Sequence, residues 1–395
     1  MQLLKITTKN NNKNKELEKF MTLTHKKKVV VGMSGGVDSS MAAALLKEEG
    51  YEVIGITLQI WPSAGPDVEG GCCSISAIDD ARRVSQQLGI PHYVLNFRSY
   101  FEENVIQYFT ESYFSGETPN PCVMCNRIVR WGEMLHKAQG LGADYIATGH
   151  YAQVVQAPES GRYLLKRPVD TWKDQTYMLY TLTQEQLKHT LFPLAGYKKE
   201  HIREMAEERG LIRVARKPDS QEICFIPNND YVSFLQEKAG ERIKPGNFVD
   251  KQGHILGRHQ GIVHYTVGQR KGLGITFGKP MFVVGFNIDR NEVVLGEDPE
   301  IFSDSLYATD LNWMAVEEVK ESLKVSAKIR YKAPLAPAAI YPVEHPEQIK
   351  GAIGPCVKVN FETPQRAITP GQAIVFYDGD RVIGGGKIIT DPRGI

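Results

Sequence analysis

Two rhythms of apolar and polar positions alternate along the first 150 residues. KKVVVGM, from Lys27, is a short β-branched run ending in glycine, the pattern of a strand buried on both faces. MAAALLKEEG is rich in helix formers and stops at Gly50. YEVIGITLQI predicts a second strand. A Gly/Pro-rich stretch from Pro62 to Gly71 follows, and Ser74 to Leu88 has the spacing of an amphipathic helix that ends at Gly89. PHYVLNF predicts a third strand and ADYIATGH, residues 143–150, a fourth, with helical stretches between them. Strands alternating with helices predict an α/β unit, a parallel sheet covered on both faces. Ligands of such sheets sit beyond the carboxyl ends of the strands, where SGGVDSS and TGH both fall.

Beyond Tyr151 the rhythm changes. Residues 174–209, with KDQTYMLYTL and YKKEHIREMAEERG, read as helical. Residues 212–228 read as irregular, with a short helix near 230–238. From Ile243 onward, short strands are separated by Gly and Pro turns, which predicts a small β-rich unit and a β-barrel divided near 295–305. The expected organisation is a disordered polar lead-in over 1–26, an α/β unit over 27–228, a central β-rich unit over 229–298 and a C-terminal β-barrel over 299–395. No internal repeat is visible.

Composition sharpens this only a little. With 395 residues, 42% of them apolar and 24% charged, the chain reads as a soluble globular protein of roughly two or three domains. A net charge of +1 excludes a histone-like polycation, so an RNA partner requires a local basic surface. Arg213, Arg216, Lys217, Arg258, Arg270, Lys271, Arg330 and Lys332, with Tyr265 and Tyr331, are candidates for it. No run approaches the ~18 apolar residues of a membrane span. Six cysteines are too few for a secreted disulfide scaffold. KNNNKNKELEK at 9–19 is too polar to fold alone, and it lacks the arginines of a transit peptide. A cytoplasmic protein is expected, with Met21 as an alternative start.

Ser34-Gly35-Gly36-Val37-Asp38-Ser39-Ser40 joins the first strand to its helix. Two glycines let the backbone approach an anion, and hydroxyls and amides at the helix N-terminus favour phosphate. No Gly-Lys-Ser/Thr occurs in the chain and the loop is not G-x-G-x-x-G, so neither a Walker loop nor a dinucleotide fingerprint is present. The bland alternative is an ordinary capped βα turn.

Two further segments carry thiols: Thr118-Pro-Asn-Pro-Cys122-Val-Met-Cys125-Asn126, predicted to enter a helix near Asn126, and Asp219-Ser-Gln-Glu-Ile-Cys224-Phe. A cysteine just before a helix N-terminus is favoured as thiolate. Thiols on separate loops of a phosphate-binding unit suit sulfur delivery, one carrying a persulfide and the other attacking or resolving it. Three other readings stand beside this one: a zinc site completed by Cys72 and Cys73, a redox pair, and buried structural thiols. The last is the expectation for Cys356.

SGGVDSS resembles the PP-loop of the ATP pyrophosphatase superfamily, whose members include several ligases as well as tRNA thiolases. GMSGGVDSS, TPNPCVMCN, ATGHY, KDQTYML, DSQEICFI, VGQRKGLGI and TPGQ, in this order from Lys27 to the C-terminus, resemble the tRNA-specific 2-thiouridylase family. The resemblance implies a PP-loop domain of the adenine nucleotide α-hydrolase-like fold, a small central domain and a C-terminal β-barrel. It implies an enzyme that uses ATP, with Mg²⁺, to replace the 2-oxygen of the wobble uridine of tRNA by sulfur, releasing AMP and pyrophosphate. Carried onto this chain, it implies an ATP site at Gly32, Met33, Ser34, Gly35, Gly36, Val37, Asp38 and Ser39, with Leu58 and Gly149 near adenine and ribose. Cys125 is the implied nucleophile and Cys224 the persulfide carrier. Lys173, Asp174, Gln175, His150, Arg330, Tyr331 and Gln372 are implied tRNA contacts, and Asn120, Pro121 and Cys122 touch the target base. The implied partners are tRNA and a persulfide sulfur-donor protein, and a monomer is expected. Many members carry Asp where this chain has Cys122, which leaves the proton-transfer role open and also leaves open which thiol pairs with Cys224.

Overall fold

Val29, Val30 and Val31 are each fully buried, and this run is the middle of the sheet on which everything else is mounted. The computed structural model describes residues 26–60, 75–219, 223–226, 230–276 and 278–389. Strand β1 (Lys28–Gly32) pairs in parallel with β2 (Glu52–Gln59) on one side and β4 (Tyr145–Thr148) on the other. β3 (His92–Asn96) extends the β2 edge. The chain then forms a hairpin of β5 (Gln153–Gln156) and β6 (Tyr163–Lys166) before β7 (Thr190–Leu191) closes the β4 edge. A strand covered on both faces has no polar side to alternate with, so β1 reads as a continuous apolar run.

One face holds helix α1 (Val37–Glu48), whose Met41 and Leu45 pack with Val29, Val31, Ile202 and Met205. Helix α2 (Ile75–Leu88) lies beside it and contributes Ala81 and Val84. The opposite face meets helix α3, a continuous helical stretch made of Pro121–Met124, Cys125–Met134 and Leu135–Gly140. Its middle part, Cys125–Met134, is wound as a π-helix, a form that is rare and concentrated at functional sites. Helix α4 (Lys199–Glu208) supplies Ile202 and Met205 to the first face.

The central unit is a four-stranded sheet of β8 (Gly246–Val249), β9 (Ile255–His259), β10 (Phe282–Asn287) and β11 (Glu292–Gly296), with β11 and β8 parallel. The barrel follows with β12 (Phe302–Trp313), β13 (Leu323–Lys328), β14 (Ala336–Pro342), β15 (Val357–Arg366), β16 (Ala373–Asp378) and β17 (Arg381–Ile389). Antiparallel pairing of β12 with β17 closes it. The expected three-part α/β, β-rich and barrel architecture is therefore present.

The units interlock. Val30, Ile146, Trp131 and Met134 of the α/β unit share one core with Ala373, Val375, Tyr377 and Val382 of the barrel. The β5–β6 hairpin joins the barrel sheet through Lys166 opposite Arg381. The TPGQ turn grips the TPNPC loop: Gln372 Nε2 donates to Thr118 O at 2.9 Å, and Thr118 N donates to Pro370 O at 2.8 Å.

Several expectations change. KDQTYMLYTL is not helical beyond a single 3₁₀ turn, Thr176–Met178. Asp174 accepts from Thr176 N and Oγ1, and Tyr177 donates to Ala373 O, so the segment is pinned between sheet and barrel instead of coiling. The strands at 153–156, 163–166 and 190–191 were not expected. Helix α3 starts at Pro121 rather than near Asn126: Asn120 caps it by accepting from Val123 N, and Pro121 occupies the first turn, where its missing N–H costs nothing.

Gly371, at φ +90, fits against the thiol loop only without a side chain, because a Cβ there would lie 2.7 Å from Glu117 Cβ and 2.9 Å from Thr118 N. Gly371→Ala should therefore lower the unfolding free energy by about 1–3 kcal/mol, read by chemical denaturation. An unchanged midpoint would show that this contact between barrel and loop is not tight.

Candidate active site

The phosphate loop leaves β1 and turns directly into α1. Gly35 sits at φ +67, and a Cβ there would come within 2.1 Å of Ala77 O, so α2 presses the loop from behind. Gly149, at the end of β4, plays the same part from the other side: a Cβ would stand 2.6 Å from Ser39 N. Inside the loop, Ser34 N donates to Ser39 Oγ at 3.1 Å, and Ser40 Oγ donates to Gly36 O at 2.8 Å. Gly36 is the N-cap and supplies no capping side chain. The first amides of α1 are therefore not answered by a cap, the arrangement that an anion completes. Gly32 ends the strand, and Met33 is held between Ile56 O and Thr57 Oγ1 through its backbone. Leu58 is half-buried at the end of β2.

Asp38, in the first turn, is surrounded by donors. Lys199 Nζ lies 2.7 Å from each of its oxygens, and Tyr151 Oη donates to Oδ1 at 2.9 Å. The same Lys199 ammonium stands 2.9 Å from Asp219 Oδ1. Asp219 also receives Lys173 and Arg203, each at 2.7 Å. Burial pushes the Asp219 carboxyl up, but hydrogen bonds from Lys173 and Lys199 outweigh this and hold it at about 2. On the α2 side, Lys217 donates to Gly35 O at 3.3 Å and pairs with Asp80 at 3.2 Å, while Arg213 Nε stands 2.6 Å from Asp80 Oδ1 without hydrogen-bond alignment. Arg213 and Lys217, read from the sequence as RNA-facing cations, are thus committed to a buried carboxylate beside the phosphate loop. Lys199, Tyr151, Arg203 and Asp80 were missed; each sits far from the motif in sequence, and only the fold brings them to it.

The thiols occupy a different environment. Cys125 and Cys224 both pack against one apolar cluster that includes Phe97, Phe101, Phe109, Val129 and Phe225. Both are half-buried, whereas Cys122 is exposed. With α3 starting at Pro121, Cys122 falls in the first turn and Cys125 in the second. Position relative to the helix dipole therefore favours Cys122 as a thiolate, the reverse of what a helix start near Asn126 implies. What distinguishes Cys125 is that it shares a cluster with Cys224. Cys72 and Cys73 lie outside the described residues. Among the described residues, no three His, Cys, Asp or Glu side chains group as a metal site. Cys356 is buried in the barrel, and burial raises its thiol to about 11.

Asn120 caps α3, and its side-chain nitrogen lies 3.6 Å from Met178 Sδ. The Tyr331 phenol is pushed up by burial, and further by Asp174 and Cys122, so Cys122, Asp174 and Tyr331 lie within electrostatic reach of one another. Arg330 is exposed and donates to Arg366 O at 2.9 Å. Asp174 is buried and paired with Arg167 at 2.7 Å. Gln175 Oε1 accepts from Tyr151 N, which ties the KDQ segment to the residue that holds Asp38. His150 is buried against Trp131 and Phe192; burial and Arg130 hold it well below the usual histidine range. Arg130 can only donate, so His150 Nε2 accepts at 3.3 Å and Nδ1–H is given to Thr148 Oγ1 at 2.7 Å. Tyr265, read as a candidate for stacking on RNA, is buried in the central unit against Phe248.

Three family models together match most of the chain: a tRNA methyl transferase HUP domain at residues 27–228, a tRNA methyl transferase PRC-barrel domain at 232–297 and an aminomethyltransferase beta-barrel domain at 303–388. A tRNA-specific 2-thiouridylase MnmA of Desulfitobacterium hafniense is 75% identical over 94% of this chain and 100% of its own length. Proteins of the same name from Acetivibrio thermocellus and Lachnoclostridium phytofermentans are 57% and 56% identical, each over 92% of this chain and 99% of theirs.

Two measurements check the site. Cys122 should react with a small alkylating agent several-fold faster than Cys125, as mapped by peptide mass spectrometry; the opposite order would refute the exposure argument. Because the Asp219 carboxyl is depressed in the folded state, its stabilisation is complete above the unfolded value near 3.8 and is lost as pH falls to about 2. The difference in melting temperature between wild type and Asp219→Asn should accordingly shrink across that window; a constant difference would contradict it.

Proposed function

The chain belongs to the tRNA-specific 2-thiouridylase MnmA family, and from that membership and the geometry of its site we propose that it uses ATP to replace the 2-oxygen of the wobble uridine of tRNA by sulfur. The observation that carries the sulfur chemistry is the packing of Cys125 and Cys224, about a hundred residues apart in sequence, against one apolar cluster. A general redox or structural role does not require that a helix and a segment about a hundred residues away bring their thiols to one apolar cluster.

In this reading, ATP lies over Gly32, Met33, Ser34, Gly35, Gly36, Val37, Asp38 and Ser39, its phosphates on the amides of α1, with Leu58 and Gly149 by the adenosine. The uridine 2-oxygen attacks the α-phosphorus, and the bond to the β-phosphate breaks as pyrophosphate leaves. The uridine oxygen then departs with AMP, a far better leaving group than the bare carbonyl oxygen. Asp38 and the hydroxyls of Ser39 and Ser40 are hard oxygen donors, which suits Mg²⁺ held by one carboxylate and the nucleotide phosphates; the ion would neutralise phosphate charge.

Cys224 receives a persulfide from a sulfur-donor protein. The terminal sulfur reaches C2 of the adenylated uridine by one of two routes. Cys125 can attack the inner sulfur, releasing hydrogen sulfide and forming a Cys125–Cys224 disulfide. Alternatively, the persulfide attacks C2 directly, and Cys125 then forms the disulfide as the sulfur–sulfur bond breaks. Both end with an oxidised pair that an external dithiol must reduce. The apolar wall behind the thiols limits water at the persulfide.

The tRNA is held by Lys173, Asp174, Gln175, His150, Arg330, Tyr331 and Gln372, with Asn120, Pro121 and Cys122 against the extruded base. Several of these side chains are already engaged within the protein, so their part is to hold the surface that the RNA meets. Arg330 and Cys122 are the exposed ones among them. The protein acts as a monomer in this account.

Cys125→Ser and Cys224→Ser should each abolish thiolation measured by nucleoside mass spectrometry, because a hydroxyl neither carries nor resolves a persulfide. Cys122→Ser should retain activity, and Cys122→Asp should be tolerated. Asp38→Ala should abolish pyrophosphate formation with the fold intact by circular dichroism. Appearance of ADP and phosphate in place of AMP and pyrophosphate would refute the adenylation step, and an active Cys125→Ser with a Cys122–Cys224 bridge in the oxidised protein would move the nucleophile to Cys122.

A further inference from the structure

Lys199 is the first residue of α4 and is almost fully buried, at 7% exposure. Neither property suits a lysine placed for stability alone. The N-terminal end of a helix is its positive end, and burial strips water from an ammonium. α4 also lacks a side-chain cap; Lys199 N is instead answered by Asp170 Oδ2 at 2.9 Å. A stabilising residue here would be an acid or a hydroxyl.

We propose that Lys199 is a further phosphate-contacting residue of this site, binding the β- and γ-phosphate oxygens of ATP and then the pyrophosphate that leaves. This rests on the adenylation reading above. The ammonium is already at the phosphate loop, 2.7 Å from both oxygens of Asp38 and 2.9 Å from Asp219. Those partners are anionic oxygens, and phosphate oxygens match them in charge and in hydrogen-bond length. Exchanging one set for the other needs no change in the lysine's protonation.

The surroundings make the exchange cheap. If Lys199 turns toward a phosphate, Asp38 keeps Tyr151 Oη, at 2.9 Å. Asp219 keeps Lys173 and Arg203, each at 2.7 Å. Asp38, whose side chain is 32% exposed, keeps one hydrogen bond and access to water, and Asp219 keeps two cations, so the exchange avoids the unpaired buried charge that usually forbids breaking such a bridge. Asp219 has more cations than one carboxylate needs, which is understandable if one of them is on loan. Lys217, on Gly35 O, stays behind the loop and holds its backbone in place. The ligand class is therefore a polyphosphate or pyrophosphate chain, and the β- and γ-phosphates, not the α-phosphate or the adenosine, are what Lys199 reads.

Equilibrium binding of ATP, AMP and inorganic pyrophosphate to the full chain tests this, in wild type, Lys199→Gln and Lys199→Arg. Lys199→Gln should weaken ATP and pyrophosphate about tenfold or more and leave AMP within about twofold, with Lys199→Arg recovering most of the loss. Equal weakening of all three ligands, or none, overturns the assignment, since a merely structural lysine would not separate pyrophosphate from AMP. Should Lys199→Gln fail to fold, the wild-type protein gives the answer. In crystals of the wild type soaked with pyrophosphate, Lys199 Nζ should lie within hydrogen-bond distance of a phosphate oxygen, and an ammonium still on Asp38 and Asp219 with pyrophosphate bound overturns the proposal. A wild type that bound neither ATP nor pyrophosphate would overturn the adenylation reading as well, whereas normal wild-type binding with unselective variants removes Lys199 alone.

Discussion

A single apolar core shared by the parallel sheet and the barrel is the constraint on which the rest of the molecule depends. Val30 and Ile146 lie on one side of it, Val375 and Tyr377 on the other, with Trp131 and Tyr177 between. Burying that surface forces the barrel against helix α3, and α3 carries Cys122 and Cys125. The polar contacts follow from the apolar ones: Asn126 Nδ2 reaches Met178 O at 2.9 Å, and Gln372 reaches the carbonyls of Thr118 and Pro119. A barrel attached only by a linker would leave the thiol loop without its second wall. Hydrophobic burial is non-directional, so it fixes that the units dock, and the hydrogen bonds then fix how.

The charged half of the site obeys a different logic. Asp38, Asp80 and Asp219 are at least partly removed from water, and each is matched by cations from elements far away in sequence. A buried carboxylate without such a partner would cost several kcal/mol. The cations paired with these three carboxylates outnumber them, so the neighbourhood keeps a positive balance that suits a polyanion. The overall charge of +1 hides this balance completely.

Local pattern was enough to read β1 through β4, α1, α2 and the barrel, because apolar runs, helix formers and Gly or Pro turns mark each of them within one contiguous segment. It failed where tertiary contacts override propensity. Thr176 to Leu182 contains helix-compatible residues, yet Asp174 and the barrel hold it open. The start of α3 was misjudged because Asn120-Pro121 reads equally as a rigid loop and as a cap followed by a first-turn proline; only the Asn120–Val123 hydrogen bond decides. The phosphate loop and the thiols were legible because their chemistry is carried by short contiguous motifs. Lys199, Tyr151 and Asp80 were not, since a lone Lys, Tyr or Asp in an amphipathic segment has no local signature. His150 and Tyr265 illustrate the converse: a motif or composition drew attention to side chains that the fold buries.

The end of β2 ties the core shared with the barrel to the aromatic cluster behind the cysteines. Leu58 packs both against the core shared with the barrel and against the aromatic cluster behind the cysteines, and Leu95 beside it on β3 does the same. The ammonium, guanidinium and carboxylate groups gather around Asp38, Asp80 and Asp219, whereas Phe97, Phe101, Phe109, Phe225 and Phe234 form the cluster that Cys125 and Cys224 pack against. The separation has a chemical reason. Activation by a nucleotide needs charges fixed in advance around phosphate oxygens, and those charges bring water with them. A persulfide needs the reverse, because water and small solutes that reach it can strip or reduce the terminal sulfur. A single uniform pocket would compromise one requirement for the other. In the proposed reaction the uridine is the participant that meets both environments, its 2-oxygen the phosphate and its C2 the sulfur, and activation comes first because it supplies the leaving group that the sulfur displaces.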